Sequence, residues 1–247
     1  MYEHADHFGE DVAADYDASS ADMFAPEAVE PAVDALVRLA GGRRALELGI
    51  GTGRLALPLA ARGVGVDGID LSEAMVARLR AKPGAEEIGV TLGDFATARA
   101  PGRDYGLVYL VFNTIMNLTS QDAQVDCFVN AAAHLAPGGC FLVEVGVPDL
   151  RRLPPGQNAV PFRTDPGRWA VDVYDVATQQ MSSNYLEVDG GRGTYRSVPF
   201  RYVWPAELDL MARIAGLRPH ARWADWSGAP FTADSTSHVS VWRKPEA

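Results

Sequence analysis

Glu47 stands two residues ahead of Gly49 in the run Ala45-Leu46-Glu47-Leu48-Gly49-Ile50-Gly51-Thr52-Gly53. Glycines at 49, 51 and 53 let a chain turn sharply and bring its backbone close to a ligand. Their spacing is GxGxG. A dinucleotide fingerprint requires GxGxxG, but the position after Gly53 is Arg54, and no Gly-Lys-Ser/Thr follows to make a phosphate-cradling loop. An acid beside such a turn suits a cationic ligand better than a pyrophosphate. Asp70, in Gly68-Ile69-Asp70-Leu71-Ser72, follows Gly51 by 19 residues and can accept hydrogen bonds from both hydroxyls of a ribose. Asp94, in Gly93-Asp94-Phe95, can accept one from an exocyclic adenine amine, with Phe95 packed near the ring. Taken singly, Asp70 reads equally as a helix-start acid and Asp94 as a turn former. The ordered set carries the argument.

That order needs a scaffold presenting all three acids on one edge. Arg43–Leu48 reads as a buried strand and Arg54–Arg62 as a helix. Gly65–Leu71 is a second strand, and Ser72 caps the helix that follows. Gly89–Leu92, Tyr105–Phe112 and Cys140–Val145 read as further strands, with a helix over Ser120–Leu135 stopped by Pro137-Gly138-Gly139. Alternation of strands and helices through short glycine turns predicts a parallel, doubly wound α/β sheet. The three acids then fall at the carboxyl ends of adjacent strands, where open sheets bind ligands. Residues 1–40 read as an N-terminal helical segment. Residues 41–146 and 204–247 form the core, and 147–203, with period-two runs and the hairpin signal Asp189-Gly190-Gly191, an inserted antiparallel β lobe.

Length and charge narrow the function. The chain has 247 residues, 47% of them hydrophobic and 22% charged, the balance of a globular protein. It carries 32 acidic against 22 basic residues, a formal charge of -10, with no basic stripe, so nucleic acid is not an expected partner. The start Met1-Tyr2-Glu3-His4-Ala5-Asp6 lacks the regions of a signal peptide, and no apolar run spans a bilayer; a cytoplasmic protein with no membrane partner is expected. Cys127 and Cys140 offer neither a disulfide framework nor metal-ligand spacing, and read as buried thiols. Arg-rich, Lys-poor usage hints at a GC-rich bacterial source.

The ordered motifs resemble those of the class I S-adenosylmethionine-dependent methyltransferases. Glu47–Gly53 resembles their motif I, Gly68–Ser72 their motif II, and Leu92-Gly93-Asp94-Phe95 their adenine motif. Leu135-Ala136-Pro137-Gly138-Gly139 resembles the segment before their fifth strand. The resemblance implies a Rossmann-like seven-stranded sheet with its last strand antiparallel, and S-adenosyl-L-methionine as cofactor. It places the glycine loop, with Glu47, on the methionine part, Asp70 and Leu71 on the ribose side, and Asp94 and Phe95 at the adenine. Asn113, after the fourth strand, falls where the family meets the methionine end and the substrate. Tyr16, in Asp15-Tyr16-Asp17, is similar to a Tyr-Asp on the helix that lids the cofactor in many small-molecule members, with helix packing as the alternative. Arg54 either pairs the methionine carboxylate or caps the sheet edge.

Transfer of a methyl from a sulfonium needs alignment, exclusion of water and, for some nucleophiles, a base, but no metal. For that chemistry the sequence offers Glu144 at the end of strand five, Asn113, and His238 on the last strand. His134 reads as structural, His220 as exposed, and His4 and His7 lie on the N-terminal stretch. The expected activity is methylation of O or N on a small molecule of bacterial secondary metabolism. The alternatives are a protein or RNA methyltransferase, or a cofactor-binding cyclase or regulator. The lobe's Trp169, Tyr174, Tyr185, Phe200, Tyr202 and Trp204 read as a small core or as an aromatic floor for substrate. The lobe is similar to that of sugar-amine and natural-product members, some of which form homodimers through it.

Overall fold

The computed structural model describes residues 8–246. His4, His7 and the leader reading of residues 1–6 lie outside them. Three helices lead in: α1 (Glu10–Ser19), α2 (Ala21–Phe24) and α3 (Pro26–Ala40). Pro26 occupies the first turn of α3, and Gly41 ends it with φ 59°. The core then alternates as β1 (Ala45–Leu48), α4 (Ala56–Ala61), β2 (Val66–Asp70), α5 (Glu73–Arg80), β3 (Gly89–Leu92), β4 (Tyr105–Leu110), α6 (Gln121–His134) and β5 (Leu135–Gly146). Ser72 caps α5 by accepting from the Met75 amide at 3.2 Å.

The lobe strands follow: β6 (Ala159–Asp165), β7 (Arg168–Tyr174), β8 (Gln180–Asp189) and β9 (Arg192–Arg201). The chain returns to the core through α7 (Pro205–Ile214), β10 (Arg218–Trp223) and β11 (Ser237–Arg243). The large sheet has the order β10-β11-β5-β4-β1-β2-β3. Its central strands are parallel, and β11 runs antiparallel to both neighbours. This is the Rossmann-like seven-stranded sheet the motifs implied. β4 is buried at every position because helices cover both faces. One face packs on α6 and α7, where Phe128 meets Phe141 and Trp242 edge-on at 4.9 and 5.2 Å. The other packs on α3 and α4 through Leu36, Leu55 and Leu59. Both cysteines are buried. No helix among the described residues is long and apolar enough to cross a membrane.

The lobe is a four-stranded antiparallel sheet, β6-β7-β8-β9. Asp189 pairs with Arg192 across the two-residue turn Gly190-Gly191, both with positive φ (53° and 80°), the chemistry of a type I′ hairpin. β6 is not foreshadowed by the sequence, since Pro161 and a register shift between Pro161 and Arg163 break its alternation. Strand β5 also starts five residues earlier than expected: Leu135 already pairs with Tyr105 before the irregularity at Pro137–Gly139.

One buried polar cluster joins lobe to core. Arg201, 4% exposed at the end of β9, donates to Gln124 on α6 at 2.5 Å, to Gln179 at 3.2 Å and to Glu207 on α7 at 2.7 Å. Gln124 in turn donates to the Ile115 carbonyl at 3.2 Å and the Arg201 carbonyl at 3.1 Å, which ties the turn Thr114–Asn117 into the same cluster.

Candidate cofactor cleft and acceptor cavity

β1 ends at Leu48, and the loop beyond it is held by left-handed glycines, with φ 71°, 54° and 82° at Gly49, Gly51 and Gly53. A Cβ on Gly49 would lie 2.8 Å from Thr114 Cγ2, so this turn admits no larger residue without displacing the loop after β4. Asp70 ends β2 with Oδ2 accepting from the Gly51 amide at 2.6 Å and Oδ1 from the Ser72 amide at 2.9 Å. It therefore shapes the glycine loop as well as facing its ligand side. Asp94, beyond β3, accepts from the Ala96 amide at 2.8 Å. Leu71 is 52% exposed beside Asp70, and Phe95 is buried against the glycine loop. Two neighbouring strand ends thus present carboxylates, with apolar surface between them.

Glu47 is the anomaly of the site. It is 3% exposed on β1, with Tyr109 donating to Oε2 at 2.9 Å. Burial pushes its carboxyl up to about 8, against the pull of the Tyr109 hydrogen bond and of Arg54. Tyr16 is raised as well, by burial first, with Arg54 opposing and Asp17, Asp70 and Glu47 adding to it. Arg54 packs its guanidinium over the Phe112 ring at 5.1 Å. A pocket that buries an acid among other acids is stabilised by a cation arriving from outside.

A stability prediction follows from Glu47. The unfolded carboxyl ionises near its ordinary value of 4.5, whereas the folded one holds its proton to about 8. Its contribution is complete below pH 4.5 and is lost progressively as pH rises to about 8. Glu47→Gln removes that loss, so the variant is expected to exceed the wild type by roughly 4 kcal/mol at pH 8 and to come within about 1 kcal/mol of it near pH 5. Urea denaturation at the two pH values measures this; an equal or larger deficit at pH 8 refutes it.

The N-terminal helices close over the loop. Asp17 on α1 accepts from Thr52 Oγ1 at 2.6 Å and pairs with Lys82, which also donates to the Thr52 carbonyl at 2.8 Å. Ser72 Oγ donates to the Phe8 carbonyl at 2.7 Å, and Arg78 pairs with Glu10 at 2.9 Å.

Beside this cleft lies a cavity of about 1050 Å³. Its walls are α1 (Asp11, Asp15, Tyr16), the loop after β4 (Phe112, Asn113, Thr114) and one face of the lobe sheet. Asn113 lines it, and its Oδ1 accepts from the Gly146 amide at 2.7 Å. Phe112 and Asn113 both have positive φ, 59° and 61°. Glu144 holds that turn: Oε2 accepts from the Phe112 amide at 2.9 Å and Oε1 from Trp226 Nε1 at 3.1 Å. Neither Glu144 nor His238 lines the cavity. His238 is the clearest correction to the sequence reading. Glu144 pairs with Val239, which places His238 on the opposite face of the sheet. There it is fully buried, 2.8 Å from Ser240 Oγ, and burial beside Arg222 lowers its imidazole to about 4. His134 is structural, accepting from the Ala100 amide at 3.1 Å while its other nitrogen lies 2.8 Å from the Asn130 carbonyl. The cavity also brings in residues the sequence reading did not single out for chemistry. Thr114, next to Asn113, was within reach of it; Asp172, Ser183 and Arg196 become visible only once the lobe strands are paired.

A glycine loop at one strand end, acids at the next two and a closing helix define a class I S-adenosylmethionine-dependent methyltransferase, and the chain belongs to that family. Residues 45–139 match the family described as a methyltransferase domain. The solved CcbJ methyltransferase from Streptomyces caelestis is 35% identical, with 100% of both chains covered and a TM-score of 0.86. The cypemycin N-terminal methyltransferase of a Streptomyces species is 29% identical over 205 residues, 81% of this chain and 82% of that one. CalS10, an amino pentose methyltransferase from Micromonospora echinaspora, shares the fold at a TM-score of 0.62 and 23% identity, over 87% of this chain and 90% of that one.

Proposed function

We propose that the protein methylates an amine of a small molecule in bacterial secondary metabolism. The observation that carries this is the cavity beside the glycine loop, whose walls bear five carboxylates (Asp11, Asp15, Asp149, Asp172 and Glu187) against the three guanidiniums of Arg163, Arg168 and Arg196, an excess of negative charge. A wall of this kind draws a cationic amine in preference to a neutral alcohol or an anion. The relative named for the N-terminus of cypemycin, an amine, supports the reading. The formal charge of -10 argues against RNA.

In this reading the glycine loop, Glu47, Tyr16 and Arg54 hold the methionine end of the cofactor, and Asp70 holds its ribose. Leu71 lies beside that ribose, and Asp94 and Phe95 hold the adenine. The fit rests on three features: the Gly49 turn that tolerates no Cβ, the buried acid Glu47 lacking a bonded cation, and paired carboxylates at adjacent strand ends. Bound there, S-adenosylmethionine supplies an electrophilic methyl on a sulfonium, a good leaving group that needs no metal. Tyr16 and Asn113 flank the cleft's opening into the cavity and orient the acceptor, while α1 excludes water. Glu144 acts as a positioning residue through the Phe112–Asn113 turn, and His238 as core. Most of the rate enhancement is then positional, about 7–11 kcal/mol in well-aligned cases.

Incubation with S-adenosylmethionine and a panel of amino sugars, peptides with free N-termini and matched hydroxy analogues tests this. Release of S-adenosylhomocysteine is expected with amines and is expected to survive EDTA. Turnover confined to the hydroxy compounds, or abolished by EDTA, overturns it.

A further inference from the structure

The lobe face that closes the cavity is laid out in rungs, fixed by strand register. Tyr174, Met181 and Phe200 stand across from one another nearest the core. Asp172, Ser183 and Val198 form the next rung, and Tyr185 with Arg196 the third, where the guanidinium lies 4.8 Å over the Tyr185 ring. Phe162 packs edge-on to Tyr185 at 5.7 Å. Arg168, Glu187 and Thr194 make the outermost rung. Successive rungs are about 7 Å apart, two residues of strand.

The five carboxylates on the cavity wall are not equivalent. Asp11, Asp15 and Glu187 are exposed. Asp149 pairs with Arg152 at 3.1 Å and Glu187 with Arg168 at 3.8 Å. Asp172 is half-buried between two buried hydroxyl residues, Ser183 across the strand pair and Tyr174 two residues along its own strand, with Ser183 Oγ donating to its Oδ1 at 2.6 Å. No Lys, Arg or His among the described residues lies within ion-pair distance of it. A carboxylate withdrawn from water with only neutral partners is stabilised when a cation or N–H donor arrives. Its position between an apolar rung and an aromatic one also fixes the surroundings of the group it receives.

We propose that Asp172 is the residue that selects an amine acceptor: set between Ser183 and Tyr174, its carboxylate accepts N–H hydrogen bonds from the acceptor's amino group. The Tyr174, Met181 and Phe200 rung and the Tyr185 ring flank the carbon skeleton that carries the amine. An acceptor that arrives as an ammonium gives one proton to Asp172 or to water; the freed lone pair then forms the N–C bond as the S–C bond of the sulfonium breaks, and the electron pair leaves on the sulfur of S-adenosylhomocysteine. Burial, which raises the Asp172 carboxyl despite the hydrogen bond from Ser183, accords with a site that gains from a positive partner.

This rests on the reading of the cavity as an amine-acceptor site, and the test separates the two. The complex with S-adenosylhomocysteine is titrated with benzylamine and with its neutral counterpart benzyl alcohol, by NMR shift perturbation. The wild type is expected to bind benzylamine at least tenfold more tightly. Asp172→Asn is expected to bring the two within twofold while keeping its affinity for benzyl alcohol and for S-adenosylhomocysteine. Ser183→Ala, which removes one neutral donor to the carboxylate and leaves it more in need of an N–H partner, is expected to raise the preference by about threefold. A preference retained in Asp172→Asn, or left unchanged in Ser183→Ala should Asp172→Asn not fold, overturns the role of Asp172 and leaves the amine reading standing. A wild type without the preference, or without binding, overturns the amine reading and the proposal with it.

Discussion

Asp70→Ala is expected to weaken S-adenosylmethionine binding on the order of 100-fold, since hydrogen bonds to a charged acceptor contribute about 1.5–3 kcal/mol each. The loss has two parts. The carboxylate would no longer receive the ribose hydroxyls, and the Gly51 and Ser72 amides that it now accepts from would be released. Asp70→Asn separates them. The amide keeps one acceptor oxygen and the size of the side chain, so its loss is expected to be nearer tenfold. Isothermal calorimetry with S-adenosylmethionine and with NAD reads both. An affinity in Asp70→Ala within threefold of wild type would remove the ribose role, and a preference for NAD in the wild type would contradict the cofactor assignment. The melting temperature of each variant distinguishes a lost contact from a collapsed loop.

Arg201→Met is expected to give the largest loss of stability. Its guanidinium is 4% exposed and satisfies Gln124, Gln179 and Glu207 at once. Removing one member of a buried pair leaves the other charge uncompensated, a cost of about 3–5 kcal/mol. For a chain of this length that corresponds to a fall in melting temperature of roughly 6–20 °C. Burial alone would raise the Glu207 carboxyl, but hydrogen bonds from Gln179, Arg201 and Gln121 outweigh it and hold it below the ordinary range. Its share of stability is therefore present above the ordinary carboxylate value and is lost as pH falls through the lowered one, so the deficit of Arg201→Met should shrink in acid. Arg201→Met combined with Glu207→Leu is expected to restore most of the loss, because an apolar pair avoids the stranded charge. A scanning calorimetry shift under 2 °C for the single variant would show that the cluster carries little.

The cofactor cleft was legible in the sequence because each of its parts has a local cause. Gly49, Gly51 and Gly53 adopt backbone angles that other residues resist, Asp70 ends β2, and Asp94 follows β3 by two residues after the glycine turn at Gly93. The acceptor cavity has no such signature, being assembled from α1, the loop after β4 and the lobe. Asp172 reads in sequence as one polar residue in an alternating strand; pairing with Ser183 and exposure to the cavity arise from register. Glu144 and His238 show the converse. Glu144 reads as the end of strand five and His238 as part of the last strand, but alternation together with the Glu144–Val239 register sends them to opposite faces. The lobe itself was visible from the Gly190-Gly191 hairpin and the alternation of β7 and β8, whereas β6 was hidden by Pro161.

The pin that fastens α1 over the glycine loop has a practical consequence. The sequence contains only two lysines, Lys82 and Lys244. Lys244 is tied to the Ala132 and Leu135 carbonyls, and Lys82 is the side chain that bridges Asp17 and Thr52. Any amine-directed dye, cross-linker or resin therefore has few handles on this protein. One of them is the clasp over the cleft, so acylating it would strip the charge that keeps the door shut.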